Sequence, residues 1–138
     1  MNETLKYNVE SDDFINAGEV SDKVRGRLHE LEIDPEIIRR VSHALYQGEI
    51  NMIIHANGGE ITVEITDESI VMTLTDKGPG ISDVEEAMKE GFSTADEQLR
   101  SRGYGQGMGF TNMQNFTDEM TVKSKVGHGT TVIMKVYL

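Results

Sequence analysis

The chain has 138 residues, carries 24 acidic side chains against 13 basic ones for a formal charge of −11, and contains no cysteine. That length suits one domain with a hydrophobic core. The missing thiols exclude disulfides and thiolate metal sites, and the negative charge disfavours nucleic acid and anionic membranes as partners.

The N-terminus, MNETLKYNVESDDF, lacks the basic start and apolar stretch of a signal peptide. No run reaches the ~20 apolar residues of a spanning helix, so a cytoplasmic location is the expectation. Residues 5–10 alternate as a first strand. Residues 17–32 place Val20, Val24, Leu28 and Leu31 at helical spacing, which predicts an amphipathic helix. Asp34-Pro35 supplies a capping side chain followed by proline at the first helical position, and opens a second helix that runs to about Ala56. Asn57-Gly58-Gly59 ends it.

Two strands follow, 60–66 and 69–76, close enough for a tight antiparallel hairpin. Residues 83–90 read as a short helix and 91–107 as a glycine-rich, polar loop containing Arg100 and Arg102. A further helix, from Gly107 to about Asn115, precedes two closing strands, EMTVKSK and TTVIMKVYL, around a turn at 126–129. The pattern predicts a single α+β domain over 1–138: a two-layer α/β sandwich, its mixed but mostly antiparallel sheet covered by helices on one face.

Three local signals carry chemistry. Gln47, Asn51 and His55 recur every four residues and share one stripe of the second helix. Amide and imidazole groups suit metal and phosphate contacts, although such a stripe is also an ordinary solvated face. Asp76-Lys77-Gly78-Pro79-Gly80 follows a strand directly; its aspartate can accept from a ligand amine, and its glycines admit a ligand close to the backbone, yet Pro-Gly is equally a common turn. Gly103-Tyr-Gly-Gln-Gly-Met-Gly109 leads into a helix, where backbone N–H groups attract anions. Its spacing matches neither the P-loop nor the Rossmann fingerprint.

The order of these signals is more specific than any one of them. An Asn-bearing helix, DxGxG after a strand, a glycine run entering a helix and GxGTT before the last strand resemble the ATPase superfamily of gyrase, the Hsp90 chaperone, histidine kinases and mismatch-repair proteins (the GHKL or Bergerat fold). Within it, NMIIHANGG (51–59), GMGFTNMQNFTDEM (107–120) and GHGTTVIMK (127–135) are similar to bacterial anti-sigma-factor and switch-protein serine kinases.

The resemblance implies ATP or ADP as ligand, with Asn51 coordinating Mg²⁺. Asp76 would bind the adenine amino group, supported by Thr131 or Thr130, and Gly78 and Gly80 would admit adenine and ribose. Gly103, Gly105, Gly107, Met108 and Gly109 would wrap the triphosphate, with a nucleotide lid at about 91–107, and His55 would line the site or end its helix. The implied partner is a protein, anti-anti-sigma-type or sigma-like, and a homodimer is compatible with the family.

One position departs from the pattern. These kinases normally carry a glutamate four residues before the metal-binding asparagine, as the general base; here that residue is Gln47. A neutral amide cannot accept that proton as a carboxylate does, and general-base catalysis contributes ~10²–10⁴-fold. Glu49 is the candidate substitute, but it lies about 200° around an ideal helix from Asn51. The expected activities are therefore serine/threonine protein kinase, or an ATP/ADP-gated binding switch with little transfer.

Overall fold

A computed structural model describes residues 2–10, 17–55, 58–76, 109–125 and 129–138. Its elements run in the order β1 (Glu3–Val9), α1 (Glu19–Glu30), α2 (Pro35–His55), β2 (Gly59–Ile65), β3 (Ser69–Asp76), α3 (Gly109–Asn115), β4 (Glu119–Lys125) and β5 (Gly129–Tyr137). The expected elements at 83–90 and 91–107 lie outside the described residues.

The strands form one sheet in the order β1-β2-β3-β5-β4. Every neighbouring pair in it is antiparallel, so the sheet described is more uniform than the mixed arrangement expected. The β2–β3 hairpin closes through Thr66, whose N–H donates to the Ser69 carbonyl at 2.9 Å. Alternation sends Ile61, Val63 and Ile65 of β2, Ile70, Met72 and Leu74 of β3, and Val132, Met134 and Val136 of β5 to one buried face. Thr62, Thr73, Thr131 and Ile133 look the other way and are half-buried.

The helices close over the apolar face. Val24 and Leu28 of α1, Val41, Leu45 and Ile53 of α2, and Met113 of α3 join the strand residues in a single core. Central among the described helices, α2 touches both α1 and α3. It starts as its sequence dictates: the Asp34 side chain accepts the Glu36 N–H at 2.9 Å, with Pro35 in the first turn. α1 ends in a reversal that satisfies its last carbonyls, with Ile33 N–H donating to Leu28 at 3.1 Å. The reversal puts Glu32 at φ 60°, a left-handed position more often given to glycine.

Two glycines let α2 lie close to the strands that follow it. A Cβ at Gly59 would stand 2.1 Å from the Thr75 carbonyl oxygen and 2.7 Å from Met52 Cε. A Cβ at Gly48 would stand 2.3 Å from Leu74 Cδ2 and 3.4 Å from Met113 Sδ. Gly58, at φ 79°, makes the turn between helix and strand. The Gly58-Gly59 pair thus ends α2 and also allows the helix to lie tight against the ends of β2 and β3.

Candidate functional site

The residues at the C-terminal half of α2 meet the end of β3. Gly59 pairs with Asp76 in the β2–β3 register, and Met52 of α2 packs on Gly59, so the helical turn after Asn51 abuts the strand end that carries Asp76. Gln47 and Asn51 are both half-buried on their shared stripe. Gly48, between Gln47 and Glu49, approaches Leu74, two residues before Asp76.

Asp76 is held from the neighbouring strand. Its Oδ1 accepts the backbone N–H of Thr130 at 3.0 Å, which fixes the carboxylate at the start of β5. The Thr130 hydroxyl in turn pairs with Ser124 Oγ at 2.8 Å, and Ser124 Oγ also donates to the Gly129 carbonyl at 3.2 Å. Gly129, at φ 85°, lets β5 begin directly beside this contact. The two threonines separate by strand alternation: Thr130 is buried on the helical side, whereas Thr131 faces outward opposite Thr75. A group held by Asp76 on the helical side would meet Thr130 first.

Gly78, Gly80, Gly103, Gly105, Gly107 and Met108 lie outside the described residues, as does the His55 side chain. Gly109 opens α3. The far end of α3 is tied to α2, because Phe116 stacks on His43 with ring centroids 5.0 Å apart and its carbonyl accepts from Arg40 Nε at 3.2 Å.

Glu49 lies on the other side of α2 from Asn51. It is 2% exposed, and its carboxylate accepts three backbone N–H groups at the N-terminus of α1: Gly18 at 3.1 Å and Val20 at 3.3 Å on Oε2, and Ser21 at 3.2 Å on Oε1. Burial pushes the Glu49 carboxyl above its ordinary value, more strongly than the bonds from Ser21, Val20 and Gly18 pull it down. To act as a substitute base it would have to leave all three donors and cross the helix. Sequence reasoning missed the capping role. The available signal was a carboxylate four residues after Leu45 and four before Ile53, in the middle of a core stripe. Glu49 also borders a cavity of about 270 Å³ lined by Tyr7, Glu19, Val20, Lys23 and Ile53, on the α1–β1 side and separate from the Gln47–Asn51 stripe.

Comparison with known proteins agrees with this architecture. A sequence profile of the family described as histidine kinase-, DNA gyrase B-, and HSP90-like ATPase matches residues 36–138. The anti-sigma F factor of Caldanaerobacter subterraneus subsp. tengcongensis is 41% identical over 114 residues, covering 78% of this chain and 76% of that protein. Its counterpart in Geobacillus sp. (strain WCH70) is 36% identical over 115 residues, covering 78% and 75%. Among solved structures, the RsbU and RsbW domains of Rv1364c from Mycobacterium tuberculosis superpose with a TM-score of 0.61 at 19% identity, over 97% of this chain and 31% of that one. The mycobacterial sensor histidine kinase MprB gives 0.56 at 16%, over 99% and 97%. At such identities the two structures speak for the fold alone. The fold, the profile match and the identity to the anti-sigma F factors agree: this chain belongs to the histidine kinase-, DNA gyrase B- and HSP90-like ATPase family, in its anti-sigma-factor branch.

Proposed function

We propose that the chain is a Mg-ATP-binding regulator of the anti-sigma type, which holds a protein partner under the control of the nucleotide it carries. The observation that carries this reading is Asp76, a half-buried carboxylate fixed at a strand end by the Thr130 N–H and facing the helix that bears Asn51. In this reading Asp76 accepts a hydrogen bond from the adenine amino group, and the buried Thr130 hydroxyl extends the polar contact. Asn51 fits a magnesium ion that keeps most of its ligands as water and phosphate oxygens, since it offers one neutral oxygen from a half-buried position. The ion would supply charge neutralisation at the phosphates. The partner is a sigma-like protein, in keeping with the relatives' name of anti-sigma F factor, or of the anti-anti-sigma type that the resemblance implies, and the formal charge of −11 suits a basic contact surface on it.

A second reading has its own observation. Gln47 cannot accept a proton from an attacking hydroxyl, and Glu49 is engaged with α1. Both features favour a nucleotide-gated binding switch with little phosphoryl transfer over an efficient serine/threonine kinase. ADP release from Mg-ATP, with Gln47→Glu beside the parent chain, tests both. An inert parent that binds ATP, and a Gln47→Glu variant at least about tenfold faster, support the switch, since a restored general base is worth ~10²–10⁴-fold at best. A parent that turns over as fast as its variant restores the kinase reading. A parent that binds neither ATP nor ADP removes both.

A further inference from the structure

Residues 47, 48 and 49 of α2 point in three different directions. Successive residues advance about 100° around a helix. Gln47 belongs to the Asn51 stripe; Gly48 packs on Leu74 of β3 and Met113 of α3; Glu49 accepts the N-terminus of α1. The rotational setting of this turn therefore depends on three contacts. A twist that moved the Asn51 amide by an ångström would drag Glu49 off its donors or drive the Gly48 backbone into Leu74.

The α1 end of the linkage has no local alternative. Gly18 occupies the N-cap of α1 with φ 91° and offers no side chain to the first turn. That turn's donors are instead satisfied from a residue up to 31 positions later in the chain. A side chain at position 18 is disfavoured as well, since the backbone there is left-handed and a Cβ would press on the Tyr46 ring at 3.1 Å. The cap is fixed in place from both sides: Ser21 Oγ donates back to the Gly18 carbonyl at 3.0 Å, and Val20 and Ser21 are buried.

We propose that Glu49 is a positioning residue that couples the N-terminus of α1 to the Asn51 face of α2, so that a nucleotide bound on one side of the helix is felt on the other. The inference rests on the nucleotide reading of the Asn51–Asp76 region. Coupling of this kind is reciprocal: whatever displaces the first turn of α1 weakens nucleotide binding by the factor with which nucleotide resists the displacement. A partner that grips α1 would thereby act on nucleotide affinity without touching the nucleotide.

The test follows the backbone amides of Gly18, Val20 and Ser21 by NMR in the full parent chain while ADP is added with magnesium, with affinity measured by calorimetry. The expected result is a shift of all three amides that saturates at the calorimetric affinity. Glu49→Ala, which leaves the donors without a partner, is expected to weaken ADP binding about fivefold or more. Glu49→Gln is expected to stay within about twofold, because one carbonyl oxygen can keep the two bonds that Gly18 and Val20 now share on Oε2. Amides that stay still while ADP binds overturn the coupling alone, as does a folded Glu49→Ala chain with parental affinity. A parent that shows no calorimetric binding overturns the nucleotide reading and the coupling with it. The parent titration decides the matter even if Glu49→Ala fails to fold.

Discussion

Two carboxylates pin α2 to the rest of the molecule, and they work in opposite surroundings. Glu49 is buried and accepts three backbone N–H groups from α1. Asp118, on the connection between α3 and β4, has a side chain 33% exposed; it accepts Arg40 of α2 at 3.0 Å and the Tyr137 N–H at 2.8 Å. The Tyr137 bond and then the Arg40 guanidinium draw the Asp118 carboxyl below its ordinary value, whereas burial raises that of Glu49. The same chemical group therefore makes a partly exposed clasp near the start of the helix and a buried one in its C-terminal half. A solvated clasp can lose a partner to water, but a buried one leaves its donors stranded.

The largest effect expected from this contrast is on stability. Glu49→Ala should cost about 3 kcal/mol in urea unfolding, since it strands several buried donors and removes the side-chain cap of the α1 N-terminus. A loss equal to that at Asp118 would erase the distinction. Asp118→Asn should cost about 1 kcal/mol, the usual worth of a partly exposed hydrogen-bonded pair.

Acid should sharpen the comparison further. The folded Asp118 carboxyl is lowered, so its contribution is present above the ordinary value of 3.8 and is lost as pH falls below it through the folded value. The parent and Asp118→Asn should converge in unfolding midpoint across that window, and a constant gap would show that Asp118 does not titrate as described. The smallest effect concerns the other end of α1, where Glu32→Gly should add about 0.5–1 kcal/mol by relieving the left-handed backbone at φ 60°.

Much of this architecture is legible in the sequence. Asp34-Pro35 marks the start of α2, and Asn57-Gly58-Gly59 its end, because capping and helix termination depend on residues adjacent in sequence. The strands 119–125 and 69–76 were bounded by alternation and turn residues. The family was legible in the order of the Asn51 helix, the DxGxG at 76–80, the glycine run at 103–109 and the GxGTT at 127–131, since a motif order is a property of the sequence itself. Which of Thr130 and Thr131 is buried beside Asp76 was not readable, because it depends on which face of β5 meets the helices. The role of Glu49 was hidden for a related reason. Its donors lie 28 to 31 residues upstream, and no periodicity links a carboxylate to backbone amides of another helix.

The remote cap also bears on how the chain acquires its structure. An isolated peptide of α1 would begin at Gly18 with its first turn unprotected, and a helix of 12 residues is already marginal in water. Only when α2 lies alongside does that first turn close. The cap of α1 is thus a tertiary contact, present only once α2 has docked, and a fragment must contain at least both helices, 17–55, to form it.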